Sequence, residues 1–156
     1  GAVKEASPGY WTQVENAIEK YRLREYLKLN PSFIPDHEIE FYFKAADVLI
    51  LPYRNIFQSG VAFLSYHFGL PIIASDVGSL PEIIAEGKTG YICRPENPED
   101  LAAKIKLFFE SDLYRNQAER AEYIREYANS RFSWRSIGSE TVGLYQALQS
   151  GSRSKI

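Results

Sequence analysis

Asp47-Val48-Leu49-Ile50-Leu51-Pro52-Tyr53, Gln58-Ser59-Gly60, Phe68-Gly69-Leu70-Pro71-Ile72-Ile73-Ala74-Ser75-Asp76-Val77-Gly78, Pro81-Glu82-Ile83-Ile84 and Gly87-Lys88-Thr89-Gly90 follow one another between positions 47 and 90. An apolar run feeds a Ser-Gly turn that opens a helix, and a second apolar run ends in another glycine turn. In an α/β protein this is the local arrangement that holds an anionic ligand at the carboxyl end of a parallel sheet.

The rest of the chain reads as alternating strands and helices. Apolar residues recur at helical spacing over 9–27, with Trp11, Val14, Ile18 and Tyr21 on one side. A short strand is expected over 29–34, although Pro31 removes a ladder donor there. A helix follows from Pro35-Asp36 to Ala45. Residues 48–52 form an almost wholly apolar run, as in a central strand covered on both faces. Further elements are a helix over 59–68, a strand over 70–75, a short helix over 80–85 and a strand over 89–93. Pro98-Glu99-Asp100 is a favourable helix start. Two more helices are expected over 113–128 and 133–149, and 150–156 reads as a disordered tail. This order predicts an α/β class, a Rossmann-like parallel sheet flanked by helices, in one domain spanning 1–149.

Composition narrows the function classes. The 156 residues are 45% apolar and 24% charged, with a net charge of −2 and dispersed basic residues, so nothing points to a nucleic-acid partner. No apolar run reaches transmembrane length. Cys93 is the single cysteine, so no internal disulfide forms, which fits a cytoplasmic setting. The sequence has no methionine, which implies a chain cut from something longer. His37 and His67 are far apart and no Asp-x-Asp pair exists, so no metal site is expected.

The glycine-marked turns supply the candidate ligand groups. At Gln58-Ser59-Gly60-Val61 a small residue lets a ligand approach the first free helix amides. The same residues also suit a plain N-cap and a packing glycine. Gly78-Ser79 and Glu82 form a second loop at the same sheet edge, where an acid in the first helical turn is favourable for the dipole alone. Arg54 follows the first buried strand, placed either as a phosphate counter-charge or as a solvated loop residue.

Taken together, these motifs resemble the donor-binding half of the group 1 glycosyltransferases, retaining enzymes with the GT-B fold. The resemblance rests on the Ser59-Gly60 turn, Gly69-Leu70-Pro71, Gly78-Ser79 with Glu82, the Glu86-Gly87-Lys88-Thr89-Gly90 turn and Phe132-Ser133-Trp134. It implies a nucleotide-diphosphate sugar as donor substrate, no cofactor and no metal. It also implies that Ser59, Gly60, Val61 and Arg54 meet the diphosphate. Gln58, Gly78, Ser79 and Glu82 would then contact the sugar, with Phe33, Ile34 and Pro35 near the base. The catalytic base has no candidate. The family's E-x(7)-E motif is absent: Ile56 and Leu64 stand at the two glutamate places.

The resemblance implies, further, that the chain lacks the domain's first βαβ unit and the amino-terminal acceptor domain. A larger parent or a companion chain would supply them, and this chain alone is expected to be inactive. If the sheet followed the 3-2-1-4-5-6 order, residues 29–34 would be a strand without a neighbour. A non-catalytic binding or scaffold domain, and a sugar-nucleotide epimerase of the same fold, are the alternatives.

Overall fold

The computed structural model describes residues 8–149, which form two compact units, one up to Tyr42 and one from Phe43 onward. The expected tail over 150–156 lies outside the described residues.

In the first unit, helix α1 spans Pro8–Lys20, shorter than its periodicity suggests. Arg22 takes a left-handed conformation at φ 54°, and the amides of Arg22 and Leu23 donate to the carbonyls of Glu19 and Ile18. This pair of bonds closes the helix end. A 3₁₀ turn, Arg24–Tyr26, follows. The strand expected over 29–34 does not form. Pro31 cannot donate to a ladder, and no strand of the described residues pairs with this segment. The amide of Ser32 instead donates to the Asn30 side chain, as in an Asx turn. Helix α2, Asp36–Ala45, begins in this unit.

The second unit is a three-stranded parallel sheet with helices on both faces. Its strands are β1 (Leu49–Leu51), β2 (Ile72–Ser75) and β3 (Gly90–Cys93), in the order β1-β2-β3. Leu49 pairs with Ile72, and Ile72 with Gly90. β1 has only β2 as a neighbour in the described sheet, and Ile50 is 37% exposed. The central strand is β2, whose four residues are all buried.

Helices α3 (Gly60–His67), α4 (Leu80–Ile83) and α7 (Gln117–Phe132) cover one face. Helices α5 (Pro98–Glu110) and α6 (Asp112–Arg115) cover the other. Alternation along β2 divides the core. Ile72 and Ala74 pack with Leu51, Ala62, Tyr66, Leu80 and Ile124. Ile73 packs with Tyr91, Phe108 and Leu113. Helix α8, Trp134–Gln149, follows α7.

Two local features hold α3 in place. Gly69 ends the helix at φ +69°, with Gly69 and Leu70 donating to the carbonyls of Tyr66 and Ser65. A Cβ at this position would lie 2.6 Å from the Ala121 carbonyl oxygen, so α7 rests directly on the turn. The Tyr66 hydroxyl is 3.0 Å from the Ile83 carbonyl and 2.8 Å from Thr89 Oγ1, which also accepts the Ala85 amide. Burial pushes the Tyr66 phenol well above its usual pKa, so it remains a neutral donor. Thr89 therefore serves the fold, and with it the Glu86-to-Gly90 turn.

Two substitutions test this packing by denaturant unfolding. Tyr66→Phe removes the hydroxyl but not the ring, and its expected cost is about 1–3 kcal/mol from the Ile83 carbonyl left unpaired and the lost bond to Thr89. Gly69→Val combines a left-handed side chain with a clash on α7, and its expected cost is about 2–5 kcal/mol. Wild-type stability in either variant would contradict the assignment.

Candidate functional site at the carboxyl edge of the sheet

Parallel strands deliver their following loops to one edge, and here that edge carries the Ser-Gly turn. β1 ends at Leu51, and the chain reaches Gly60, the first residue of α3, through Ser59. Ser59 is extended, at φ −125° and ψ 106°, and is 3% exposed. Its hydroxyl makes no capping bond and has no partner. The contrast with α5 is direct, because there Asn97 Oδ1 accepts the Asp100 amide at 2.8 Å and closes the helix start. In α3 the amides of Gly60 and Val61 have no acceptor within the helix, and no side chain takes that role.

Gly60 itself is not required by packing. A Cβ there would meet no atom within 4 Å, and its φ is not positive. Gly78 is the opposite case. Its φ is +56°, and a Cβ would overlap the Ile56 carbonyl oxygen and lie 2.8 Å from that of Phe57. The Ser79 amide donates to the same Phe57 carbonyl at 3.1 Å. The loop after β2 is thus seated on the backbone just before the Ser-Gly turn. Gln58, Ser59, Gly60, Gly78 and Ser79 come together through it. Ser79 Oγ is also buried without a partner. Sequence reasoning singled out Ile56 only as a place lacking an acid. Its carbonyl contact with Gly78 carries no side-chain signal.

The remaining candidates are distributed around this pair of loops. Val61 is 42% exposed in the first turn of α3. Glu82 is exposed on α4, its amide donating to the Ser79 carbonyl. Arg54 lies elsewhere on the edge, 3.7 Å from Glu96 in an exposed ion pair. It lines a cavity of about 280 Å³ with Ser75, Cys93, Arg94 and Asn97 at the ends of β2 and β3, whereas Ser59 and Gly60 do not line it. Arg54 thus lines a cavity on the β3 side of the edge, where its guanidinium pairs with Glu96. Beside it, Asp100 of α5 is held below the usual carboxylate range, chiefly by the Arg94 amide at 2.7 Å. Burial pushes the Cys93 thiol up. Lys88 stands on the turn before β3, at the amino edge of the sheet and opposite the Ser-Gly turn.

Phe33, Ile34 and Pro35 belong to the first unit, with Phe33 74% exposed. Among the described residues no three of His, Cys, Asp and Glu gather as a metal-ligand set. No helix among them is long and apolar enough to cross a membrane.

Comparisons with known proteins identify the family and the fold. Residues 8–131 match the family model of the group 1 glycosyl transferases. The chain is 31% identical to D-inositol 3-phosphate glycosyltransferase of Corynebacterium urealyticum over 114 residues, 73% of this chain and 26% of that protein. It is 31% identical to spore coat protein SA of Bacillus subtilis over 118 residues, 73% of this chain and 30% of that protein. It therefore spans about a quarter to a third of these relatives. Among solved structures, sucrose-phosphate synthase of Thermosynechococcus elongatus superposes with a TM-score of 0.76 at 23% identity, covering 97% of this chain and 38% of that one. Anabaena Alr3699/HepE in complex with UDP gives a TM-score of 0.77 at 19% identity, covering 92% of this chain and 38% of that one. The sheet, its helices and these matches together make the chain part of a GT-B domain, and it belongs to the group 1 glycosyltransferases.

Proposed function

We propose that residues 1–149 form part of the nucleotide-sugar-binding domain of a retaining glycosyltransferase. The observation that carries this reading is Gly60: the fold does not need a glycine there, whereas a ligand approaching the helix start does. Ser59, Gly60 and Val61 hold the donor diphosphate through backbone amides, which stabilise negative charge as the leaving group departs. Gln58, Gly78, Ser79 and Glu82 face the sugar. A base contact at Phe33, Ile34 and Pro35 rests on the family resemblance alone. Arg54 meets a phosphate only after leaving Glu96.

In the transfer, the bond from the anomeric carbon to the donor phosphate breaks. A bond forms to the acceptor hydroxyl oxygen, whose proton passes to the departing phosphate oxygen, and the nucleoside diphosphate leaves. The reaction proceeds without metal in this proposal, since charge stabilisation falls to helix amides. The acceptor side belongs to a further domain or companion chain. The buried free thiol of Cys93 is compatible with a cytoplasmic location. A non-catalytic binding role is the second reading, favoured by Ile56 and Leu64 where the family carries glutamates.

Calorimetric titration of the full-length protein with UDP, GDP and ADP sugars tests the proposal. One of them binds, and Gly60→Ala weakens that binding at least about tenfold, or 1.4 kcal/mol. Its unfolding free energy is expected to stay the same or rise by up to about 1 kcal/mol, as for alanine replacing glycine in a helix. Absence of binding by every nucleotide sugar would overturn the reading. So would an alanine variant that binds as the wild type does. Release of free nucleotide upon addition of acceptor separates transfer from the non-catalytic role.

A further inference from the structure

Helices α3 and α7 pack side by side and run in opposite directions, as three contacts show. Phe63 meets the ring of Phe132 edge-on at 5.3 Å, and Tyr66 meets that of Tyr127 at 6.2 Å. The Gly69 turn after α3 rests on Ala121, near the start of α7. The groove between the two helices holds a cavity of about 380 Å³, within the range of small-molecule sites. Ser59, Gly60, Gly78 and Ser79 do not line it, so it is separate from the donor loops.

The two ends of this groove differ in chemistry. On α7, Arg125, Asn129 and Phe132 line it at i, i+4 and i+7, the spacing of one helix face. On α3, Phe63, Tyr66 and His67 line the opposite wall. The opposed helix directions set His67 across from Arg125 at one end, and Phe63 beside Phe132 at the other. Phe63 and His67 are one turn or about 6 Å apart along α3.

The polar end carries hydrogen-bond donors and positive charge. Guanidinium, imidazole and the Asn129 amide all donate. The charged or titratable groups that line the groove beside the inward-bonded Tyr66 are Arg125 and His67, whereas Glu122 and Glu126 of the same helix do not line it. Arg125 is exposed and forms no ion pair among the described residues. Arg54 and Arg94 differ in this respect, being paired with Glu96 and Asp100. The other end is apolar. Phe132 is held by the Phe63 ring and by the Arg131 guanidinium, 5.7 Å over its face. The hydroxyls nearby are committed: Tyr66 to Ile83 and Thr89, and Ser133 Oγ to the Ser136 amide at 3.2 Å.

We infer that the groove between α3 and α7 is a second binding site, which takes a small phosphate monoester whose organic part is an apolar ring. Arg125 pairs with two phosphate oxygens in its planar fork, and His67 and Asn129 donate to the remaining one. The ring of the ester lies against Phe63 and Phe132, where aromatic faces and edges meet. A phosphate suits this end better than a carboxylate, because three donor groups match three terminal oxygens. The site does not depend on the donor assignment above.

Calorimetric titration of the full-length protein with phenyl phosphate, inorganic phosphate and benzyl alcohol tests the inference. Phenyl phosphate is expected to bind at least about threefold more tightly than either of the others. Arg125→Gln changes an exposed side chain, and it is expected to weaken phenyl phosphate about tenfold while leaving nucleotide-sugar binding unchanged. Phe63→Ala, checked for folding by thermal unfolding, is expected to weaken phenyl phosphate about threefold and to leave inorganic phosphate unaffected. Gly60→Ala is expected to leave phenyl phosphate binding as in the wild type. Absence of phenyl phosphate binding would overturn the inference. So would binding that is insensitive to Arg125→Gln, or that is lost in Gly60→Ala, which would place the phosphate at the start of α3 instead.

Discussion

Burial of β2 on both faces and along both edges is the constraint on which the rest of the second unit depends. Its side chains separate two cores, Ile72 and Ala74 on one side and Ile73 on the other. Its backbone is bonded to β1 and β3, so neither register nor direction can change without exposing an apolar face. The loop after β2 is therefore delivered to a fixed place. There Gly78 and Ser79 settle on the carbonyls of Ile56 and Phe57. Packing in the middle of the sheet is thus converted into a defined backbone surface at its edge.

That surface is unusual because it is built from groups left without partners. Ser59 Oγ and Ser79 Oγ are buried and unpaired, and the start of α3 lacks the side-chain cap that closes α5. Buried polar atoms without partners cost about 1–3 kcal/mol each. Retaining two of them beside an open helix start is sensible if a ligand completes the bonds. The cationic cavity of Arg54 and Arg94 is less suited to that role. Its arginines already pair with Glu96 and Asp100.

Much of the sheet was legible in the sequence because residues 70–75 and 89–93 carry strong apolar runs between glycine turns. The helices from α3 onward followed from period and turn residues, except that the one expected over 113–128 is broken at Asn116 into α6 and α7 and runs on to Phe132. Residues 29–34 misled, since their composition suits a strand, yet a strand also needs a partner and a donor that Pro31 lacks. Residues 48–52 form a strand as their apolar run suggests, paired in the described sheet with β2. In the site, the Ser-Gly turn was visible as a motif. The seat of Gly78 on two carbonyls was not, because backbone acceptors leave no residue signature. Arg54 was placed by its proximity in sequence to the turn, and its pairing with Glu96, forty-two positions onward, decided its direction.

The most direct test of the central claim is a crystal structure of the full-length protein with bound nucleoside diphosphate. The account predicts phosphate oxygens within hydrogen-bonding distance of the Gly60 and Val61 amides, with Ser59 Oγ engaged. A diphosphate seated instead in the cavity of Arg54 and Arg94, with the start of α3 unliganded, would contradict it.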